Sequence, residues 1–419
     1  MPDLMIFLSK SLLGWLVIQS CLTLIFLWYL RSYKSKSLSD EQLPKTAVIL
    51  CLRGADPFLS NCLRSLLQQN YPQYHVKLII DSQEDPAFKI ATETINQLGA
   101  TNCQISTLRE IRHNCSLKCS SLIQAISDLD HTYQVIALID SDIVPHPHWL
   151  RELVTPLIDQ KVGLTTGNRW YIPTGNYWGS LVRYCGNVST VVQMFLFQVP
   201  WGGSLAIKTE LLHRIRLLDK WGEVFSDDIF LHQLIKEQKL QIRFVPSLLM
   251  LNREESSLSD FQESLKRLII SSKLYHPRWL AIVSEAFSSI IIPNIVILII
   301  FQLILEAQWY PASLLFLSYF SYTIGLLLLM LLMELSIHQV LHNQGEKIPN
   351  LSPVTILKML ISIPLTQWVY GLTMLSSLWI STVTWRGLIY RIEGRQNIHL
   401  LEYRPYQWLD QPIDPKSSL

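Results

Sequence analysis

Ser11 to Leu30 is a run of twenty residues without a formal charge, and Arg31, Lys34 and Lys36 follow it directly. A helix of that length spans the hydrocarbon core of a bilayer. A cleaved signal peptide carries its basic residues before the apolar run and a small-residue cleavage site after it. Here Arg31, Lys34 and Lys36 outnumber the single Lys10 ahead of the run and no small-residue cleavage site follows, so an anchor is expected. Basic flanks mark the cytoplasmic side, which places residue 31 onward in the cytoplasm. Membrane character returns over residues 281–385. Ala281 to Leu305 is apolar but for Glu285, with Pro293 inside, and Leu314 to Met333 is a clean second span. Pro353 to Trp385 is too long for an upright helix and contains Pro364. It reads as an interfacial helix followed by a span, or as one tilted, kinked span. Three full crossings would carry Arg386, Arg391 and Arg395 outside, against the charge rule. A cytoplasmic tail is therefore expected, with one segment not fully crossing.

The chain must fold a polar middle between two membrane-embedded ends. Its balance agrees: 49% hydrophobic, 16% charged and a mean hydropathy of +0.24 are too apolar for an ordinary soluble enzyme and too polar for a pure transporter. A net charge of +2 gives no signal for nucleic acid, and no such partner is expected. Seven cysteines, an odd number without repeated spacing, argue against a disulfide framework. His113, Cys115 and Cys119 lack a second Cys/His pair of matching spacing, so zinc is not expected.

Within residues 45–250, short apolar runs alternate with amphipathic stretches. Strands are expected at Thr46–Leu52, Val76–Ile80, Asn102–Thr107 and Val135–Ile139. Helices are expected at Pro57–Gln69, Pro86–Leu98 and Ser116–Leu129. Alternation of this kind builds a mostly parallel sheet with right-handed crossovers. The last strand ends in Asp140-Ser141-Asp142. Two carboxylates at a strand end need a cation, water or a proton. The mouth of an α/β sheet is where ligands sit, and a divalent metal carrying a diphosphate meets the need. An ordinary Asx turn has the same spacing. Further acidic sites follow at Asp81–Asp85 and at Asp227-Asp228, where helix capping competes with function.

Several short motifs converge. Leu52-Arg53-Gly54-Ala55-Asp56-Pro57 is similar to "LKGxDP", Asn70-Tyr71-Pro72-Gln73-Tyr74 to "DYPxYE", and Glu84-Asp85-Pro86-Ala87 to "DDPA". Asn114 and Lys118 are similar to "NxxxK". Lys161–Leu164 and Gly203-Ser204 match further signposts, Asp228 stands at an "ED" site, and Trp385-Arg386-Gly387 with Tyr390-Arg391 is similar to "WRxxxYR". On these motifs the chain resembles an integral-membrane family 2 glycosyltransferase, most closely the ceramide glucosyltransferase branch, over nearly its whole length. The resemblance implies an α/β GT-A-type nucleotide-sugar-binding domain with a mostly parallel sheet, plus N-terminal and C-terminal transmembrane helices. It implies that Asp85 contacts the nucleotide, that Asn114 and Lys118 face it, that Asp140 is the second conserved aspartate, and that Asp228 is the catalytic base. One box departs from the pattern. The family's "(Q/R)xxRW" falls at Ser264-Leu265-Lys266-Arg267-Leu268, which keeps only Arg267. Tyr275-His276-Pro277-Arg278-Trp279 supplies an Arg-Trp, but Tyr275 replaces the Gln/Arg. The histidine of the animal enzymes' acceptor region is also missing near Tyr184-Cys185-Gly186-Asn187, so the resemblance does not extend to ceramide itself.

The expected chemistry is transfer of a sugar, a hexose by the resemblance, from a UDP-sugar to a membrane lipid hydroxyl. Asp228 takes the proton, Asp142 with Asp140 holds Mn2+ or Mg2+, Asp85 meets the uridine, and Lys118 and Arg267 meet the diphosphate. A single displacement gives a β-linked product. Trp201, Trp221 and Trp279 suit a membrane interface or ordinary core packing equally. Two rivals are a processive polysaccharide synthase, which needs more spans and an intact box, and a non-catalytic membrane scaffold derived from such an enzyme. The expected division is an anchor with its basic flank at 1–36, a catalytic domain with interfacial segments at 37–280, a membrane region at 281–385 and a cytoplasmic tail at 386–419.

Overall fold

The computed structural model describes residues 2–34, 38–173, 177–346, 348 and 350–407. Lys36 and the end of the expected tail lie outside the described residues. Helix α1 (Pro2–Ser32) contains the anchor. The alternating region follows as β1 (Thr46–Leu52), α2 (Leu59–Leu67), β2 (Tyr74–Ile80), α3 (Pro86–Leu98), β3 (Cys103–Thr107), α4 (Leu117–Ser127) and β4 (Val135–Ile139). Every expected element is present, within a few residues of its expected bounds. Local chemistry explains α3: Asp85 caps it by accepting from the Ala87 N–H, Pro86 opens its first turn, and Gly99 closes it at φ 58°.

The chain then forms α5 (Trp149–Val154), β5 (Val162–Tyr171), α6 (Trp178–Phe197), β6 (Ser204–Lys208), α7 (Thr209–Arg214), α8 (Leu217–Trp221), α9 (Leu231–Glu237) and β7 (Gln241–Asn252). The seven-stranded sheet has the order β3-β2-β1-β4-β6-β5-β7. β3, β2, β1 and β4 run parallel, β6 is antiparallel to both neighbours, and β5 pairs parallel with β7. Both faces are covered, so β1 and β4 read as continuous apolar runs. Ala47 and Ile49 face one layer with α4, while Val48, Leu50 and Leu52 face the other with α2, α3 and α5. The strand order reverses between β1 and β4. This is the switch point beside which ligands bind in open α/β sheets.

Helix α10 (Leu258–Tyr275) leads to α11 (Trp279–Ala286), a π-helical turn at Phe287–Ile291, α12 (Ile292–Leu305) and α13 (Trp309–Asn343). The π turn sits just before Pro293, whose missing N–H breaks the regular ladder there. Among the described residues, three helices are long and apolar enough to cross a membrane: Asp3–Ser32, Trp279–Leu305 and Trp309–Asn343. Their inner faces pack on one another through Leu8, Leu12, Val296, Leu303 and Leu315. Phe7, Trp28, Leu298, Phe301 and Leu317 face outward and are exposed, as lipid-facing residues are. Helix α14 (Pro353–Ser377) continues through Pro364 and lies against α6, α10 and α13.

Residues beyond α14 do not form a loose tail. β8 (Thr382–Trp385), β9 (Leu388–Gly394) and β10 (Asn397–Glu402) make an antiparallel sheet. Val383, Leu388, Tyr390, Ile398 and Leu400 join the same core as Leu117, Leu122 and Phe225. The expected boundary at 385/386 therefore falls between two paired strands, and the C-terminal sheet packs into the core of the α/β unit. Its docking also puts it on the same side of the membrane helices as that unit.

The membrane helices are tied to the sheet through Glu334 of α13. Its Oε2 accepts from Trp170 Nε1 at 3.0 Å and from the Tyr184 hydroxyl at 2.8 Å. Glu334→Leu strands both donors in a buried setting, at about 1–3 kcal/mol each. We expect a lower unfolding temperature for the solubilised variant. An unchanged melting curve would show that this junction contributes nothing.

Candidate functional site

Several polar residues gather outside the carboxyl ends of β1 and β4 and line a cavity of about 650 Å³. Asp140 and Asp142 leave the end of β4. Lys118, in the first turn of α4, donates from Nζ to Asp140 Oδ1 at 2.8 Å and lies 3.1 Å from Asp227 Oδ2. Arg169 of β5 reaches both strand-end carboxylates, at 3.4 Å to Asp140 and 3.3 Å to Asp142, and stacks 4.7 Å from the Trp201 ring centroid. Asn252 Nδ2 donates to Asp142 Oδ2 at 2.9 Å, while Asp142 Oδ1 is buried without a partner.

The electrostatics follow from this packing. Desolvation pushes the Asp140 carboxyl up, but Lys118 and Arg169 outweigh it and hold the group below the ordinary carboxylate range. Asp142 is raised, by desolvation first and by its acidic neighbours Asp140 and Asp56 against the pull of Arg169. Asp227 is pushed up to about 6 by desolvation, with Lys118 opposing and Asp228 and Asp140 adding repulsion. Lys118 is desolvated too, yet Asp140, Asp227 and Asp228 keep it well above its usual value.

The Asp227-Asp228 turn is held against Gly202-Gly203. Asp228 Oδ1 accepts from the Ser226 hydroxyl and the Ile229 N–H, both at 2.7 Å, and its Oδ2 accepts from the Gly202 N–H at 2.8 Å. A Cβ on Gly202 would collide with the Asp227 carboxylate, and one on Gly203 with Trp201 and Asp140. Only glycine lets this backbone pass between the two acidic sites. Trp221 Nε1 donates to the Asp227 carbonyl at 2.9 Å. Trp221 and Trp201 are thus buried core residues, and of the three expected tryptophans only Trp279 combines cavity contact with partial exposure.

Arg267 of α10 also lines the cavity. Desolvation, then the neighbouring Arg169 and Arg386, pull its guanidinium down to about 10. The Trp385 ring lies 5.5 Å from it. An Arg-Trp pair therefore forms here from two distant segments, with the aromatic supplied by β8. In the alternative box, Arg278 is exposed and 5.9 Å from the Phe197 ring, and is not itself among the cavity's residues although Phe197, His276 and Trp279 are. The Tyr275 hydroxyl accepts from the Phe225 N–H at 2.9 Å and donates to the Arg395 carbonyl at 2.8 Å, a bracing role.

Asp140, Asp142, Lys118, Asp228 and Arg267 are therefore brought together, whereas Asp85 and Asn114 are not among the cavity's residues. Asn114 is exposed. Asp85 is 1% exposed, and its carboxylate accepts from the Gly54 N–H and the Ala87 N–H, both at 2.8 Å. Sequence reasoning missed Arg169 and Trp385. The available signals were a lone arginine in a buried strand and a tryptophan inside a recognised motif.

The far half of the same cavity is largely apolar, with Gln19, Gln193, Glu285 and Gln367 also on its lining. Leu22 of α1, Ile290 of the π turn, Leu326 and Met330 of α13 and Ile363 of α14 wall it. One space thus connects a charged cluster at the sheet's edge with the membrane helices.

A family model described as glycosyl transferase family 21 matches residues 12–398. A ceramide glucosyltransferase from Pyricularia oryzae is 38% identical over 112 residues, a stretch that is 24% of this chain and 23% of that relative's length. The match with this relative thus spans about a quarter of either protein. A mannosyltransferase from Pyrobaculum calidifontis, solved in complex with GDP-Man and Mn2+, has a TM-score of 0.50 at 14% identity and covers 89% of this chain and 99% of its own. That likeness bears on the fold alone and agrees with a GT-A-type sheet. With the family model spanning the catalytic domain, the membrane helices and most of the C-terminal sheet, this chain belongs to glycosyl transferase family 21.

Proposed function

We propose that this protein is an inverting glycosyltransferase that moves a sugar, a hexose by the family likeness, from a UDP-sugar to a membrane lipid hydroxyl, giving a β-linked glycolipid. The observation that carries this reading is the single cavity with a charged end at Asp140, Lys118 and Asp228 and a largely apolar end among membrane helices. A lipid acceptor leaves the bilayer at about 0.8 kcal/mol per methylene. A site that opens into the membrane helices spares it that cost. We place the catalytic domain and the C-terminal sheet in the cytoplasm, with α1, α11–α12 and α13 crossing the bilayer and α14 lying at its surface.

The strand-end carboxylates fit a divalent cation, Mn2+ or Mg2+. Asp142 Oδ1 is an orphaned buried oxygen, and Asp140 stands beside it. Among the described residues no third His, Cys, Asp or Glu closes a metal site around them, which suits a cation that shares its remaining positions with a diphosphate. When bound, it supplies charge that offsets the departing diphosphate. Arg169, Lys118 and Arg267 add fixed positive charge around the same space. Asp228 accepts the acceptor hydroxyl's proton as the oxygen attacks the anomeric carbon from the face opposite the diphosphate. Asp85 acts on the nucleotide through the Gly54 turn that it holds.

Incubating membranes with labelled nucleotide sugars and analysing extracted lipids by mass spectrometry tests the reading. A new β-linked glycolipid is expected. Absence of any labelled lipid across common donors would overturn it.

The arginines give a second test. Arg267→Ala should lower turnover at saturating donor by about a hundredfold, the effect of removing one preorganised charge stabiliser. Arg278→Ala should leave turnover near the parent's. The reverse pattern would move the functional box to residues 275–279.

A further inference from the structure

After β10, Tyr403 to Tyr406 runs along the carboxyl ends of β1 and β2. Tyr406 is 2% exposed. Its backbone N–H donates to Asp81 Oδ2 at 3.0 Å, and the Tyr403 hydroxyl donates to Asp81 Oδ1 at 3.1 Å. Arg53 completes the clasp. Its guanidinium pairs with Asp81, donates to the Arg404 carbonyl at 3.0 Å, and lies 5.4 Å and 5.8 Å from the ring centroids of Tyr406 and Tyr403. The Tyr406 ring packs against Gly54, whose φ is +76°; a Cβ there would stand 2.8 Å from the ring.

This position matters for the donor. A nucleotide sugar with its diphosphate among Lys118, Arg169, Asp140 and Asp142 has two directions for its nucleoside. One leads into the largely apolar half of the cavity, where Leu22, Ile290, Leu326, Met330 and Ile363 replace much of a nucleoside's hydration with apolar surface. The other leads along the strand ends, past Arg53 to Gly54 and Asp81, beside the β1/β4 switch point. The cavity reaches Arg53 and Asp56 but not Gly54, Asp81 or Asp85. Tyr406 stands where it stops. A glycine backbone that lets a ring approach closely, next to a buried carboxylate that accepts from an N–H and a hydroxyl of the same segment, offers what a nucleobase needs, and a tyrosine side chain fills it.

We propose that residues 403–407 form an intramolecular strap that competes with the donor's nucleoside, with the Tyr406 ring in the nucleobase position. The inference rests on the nucleotide-sugar reading above. Donor binding then requires the strap to lift, Asp81 exchanging the Tyr406 N–H and the Tyr403 hydroxyl for groups of the incoming base. The lifted state is the competent one, so apparent donor affinity is reduced by the fraction of molecules in that state.

The test is binding of UDP and of GDP by calorimetry to the solubilised full chain, to a variant ending at Glu402, and to Tyr406→Ala. The last removes only the ring and decides the matter if the truncated chain does not fold. Both variants should bind one of these nucleotides about tenfold more tightly, as for a strap closed in roughly nine molecules of ten. A synthetic peptide of residues 403–419 should weaken binding to the truncated chain competitively. Equal affinity in all three proteins overturns the strap while leaving the donor reading intact. Weaker binding in both variants also overturns it, because the segment is then a wall of the site. No binding of either nucleotide to any of the three removes the donor reading and the strap with it.

Discussion

Asp228→Asn should lower the rate of transfer at saturating donor at least about a hundredfold, the low end of general-base contributions. The amide keeps the size of the carboxylate and can still accept from Ser226 and Ile229, but it cannot take a proton. Donor affinity, measured with the unreactive nucleoside diphosphate, should change little. The structure makes Asp227→Asn the necessary partner experiment. Asp228 already accepts three hydrogen bonds, so an incoming hydroxyl must use a remaining lone pair. Asp227 sits one residue away with its carboxyl pushed up to about 6, chiefly by desolvation, a value suited to taking a proton near neutrality. It is also tied to Lys118. Loss of turnover in Asp227→Asn with a normal Asp228→Asn would assign the base to the first aspartate of the pair.

Asp142→Ala should reduce turnover by about a thousandfold or more, since several kcal/mol of charge stabilisation go with the cation. The parent protein should lose activity in excess chelator and regain it when Mn2+ or Mg2+ is restored. Asp142 is the sharper target of the two strand-end carboxylates. Asp140 is paired with Lys118 and Arg169, so its removal disturbs a network as well as a ligand. Asp142 retains a buried, unpartnered oxygen. Full activity in chelator would overturn the metal assignment and leave the counter-charge to the diphosphate with Arg169, Lys118 and Arg267.

The parallel half of the sheet was legible because its strands are covered on both faces and its helices carry their own punctuation. β1 and β4 are unbroken apolar runs, and α3 is bracketed by Asp85-Pro86 and Gly99. The other half was not. β5 buries Thr165, Thr166 and Asn168, which read as polar in isolation, and its pairing with β7 shifts register between Thr166 and Asn168. No single period survives such an irregularity. The C-terminal sheet was hidden differently. Arg386, Arg391 and Arg395 read as a basic flank, yet Arg386 spends its guanidinium on the Arg53 carbonyl and Asp56. At the site, Asp140, Asp142, Lys118, Asp228 and Arg267 line one cavity, whereas Asp85 and Asn114, which also carried motif signatures, do not. Arg169 and Trp385 act only through tertiary contact: one reaches across from β5 to β4, the other from β8 to α10.

The C-terminal sheet also has a consequence for biosynthesis. The Leu117 N–H, an orphan donor in the first turn of α4, finds its acceptor in the Tyr390 hydroxyl at 3.1 Å, and the His113 carbonyl accepts from the Leu400 N–H at 2.7 Å. Tyr390 lies 273 residues beyond Leu117, and α11, α12 and α13 are translated between them. Until β9 and β10 are made, the first turn of α4 keeps an open seam. The core beside the charged site is thus closed by strands synthesised long after its own, and a chain interrupted before β9 cannot complete it.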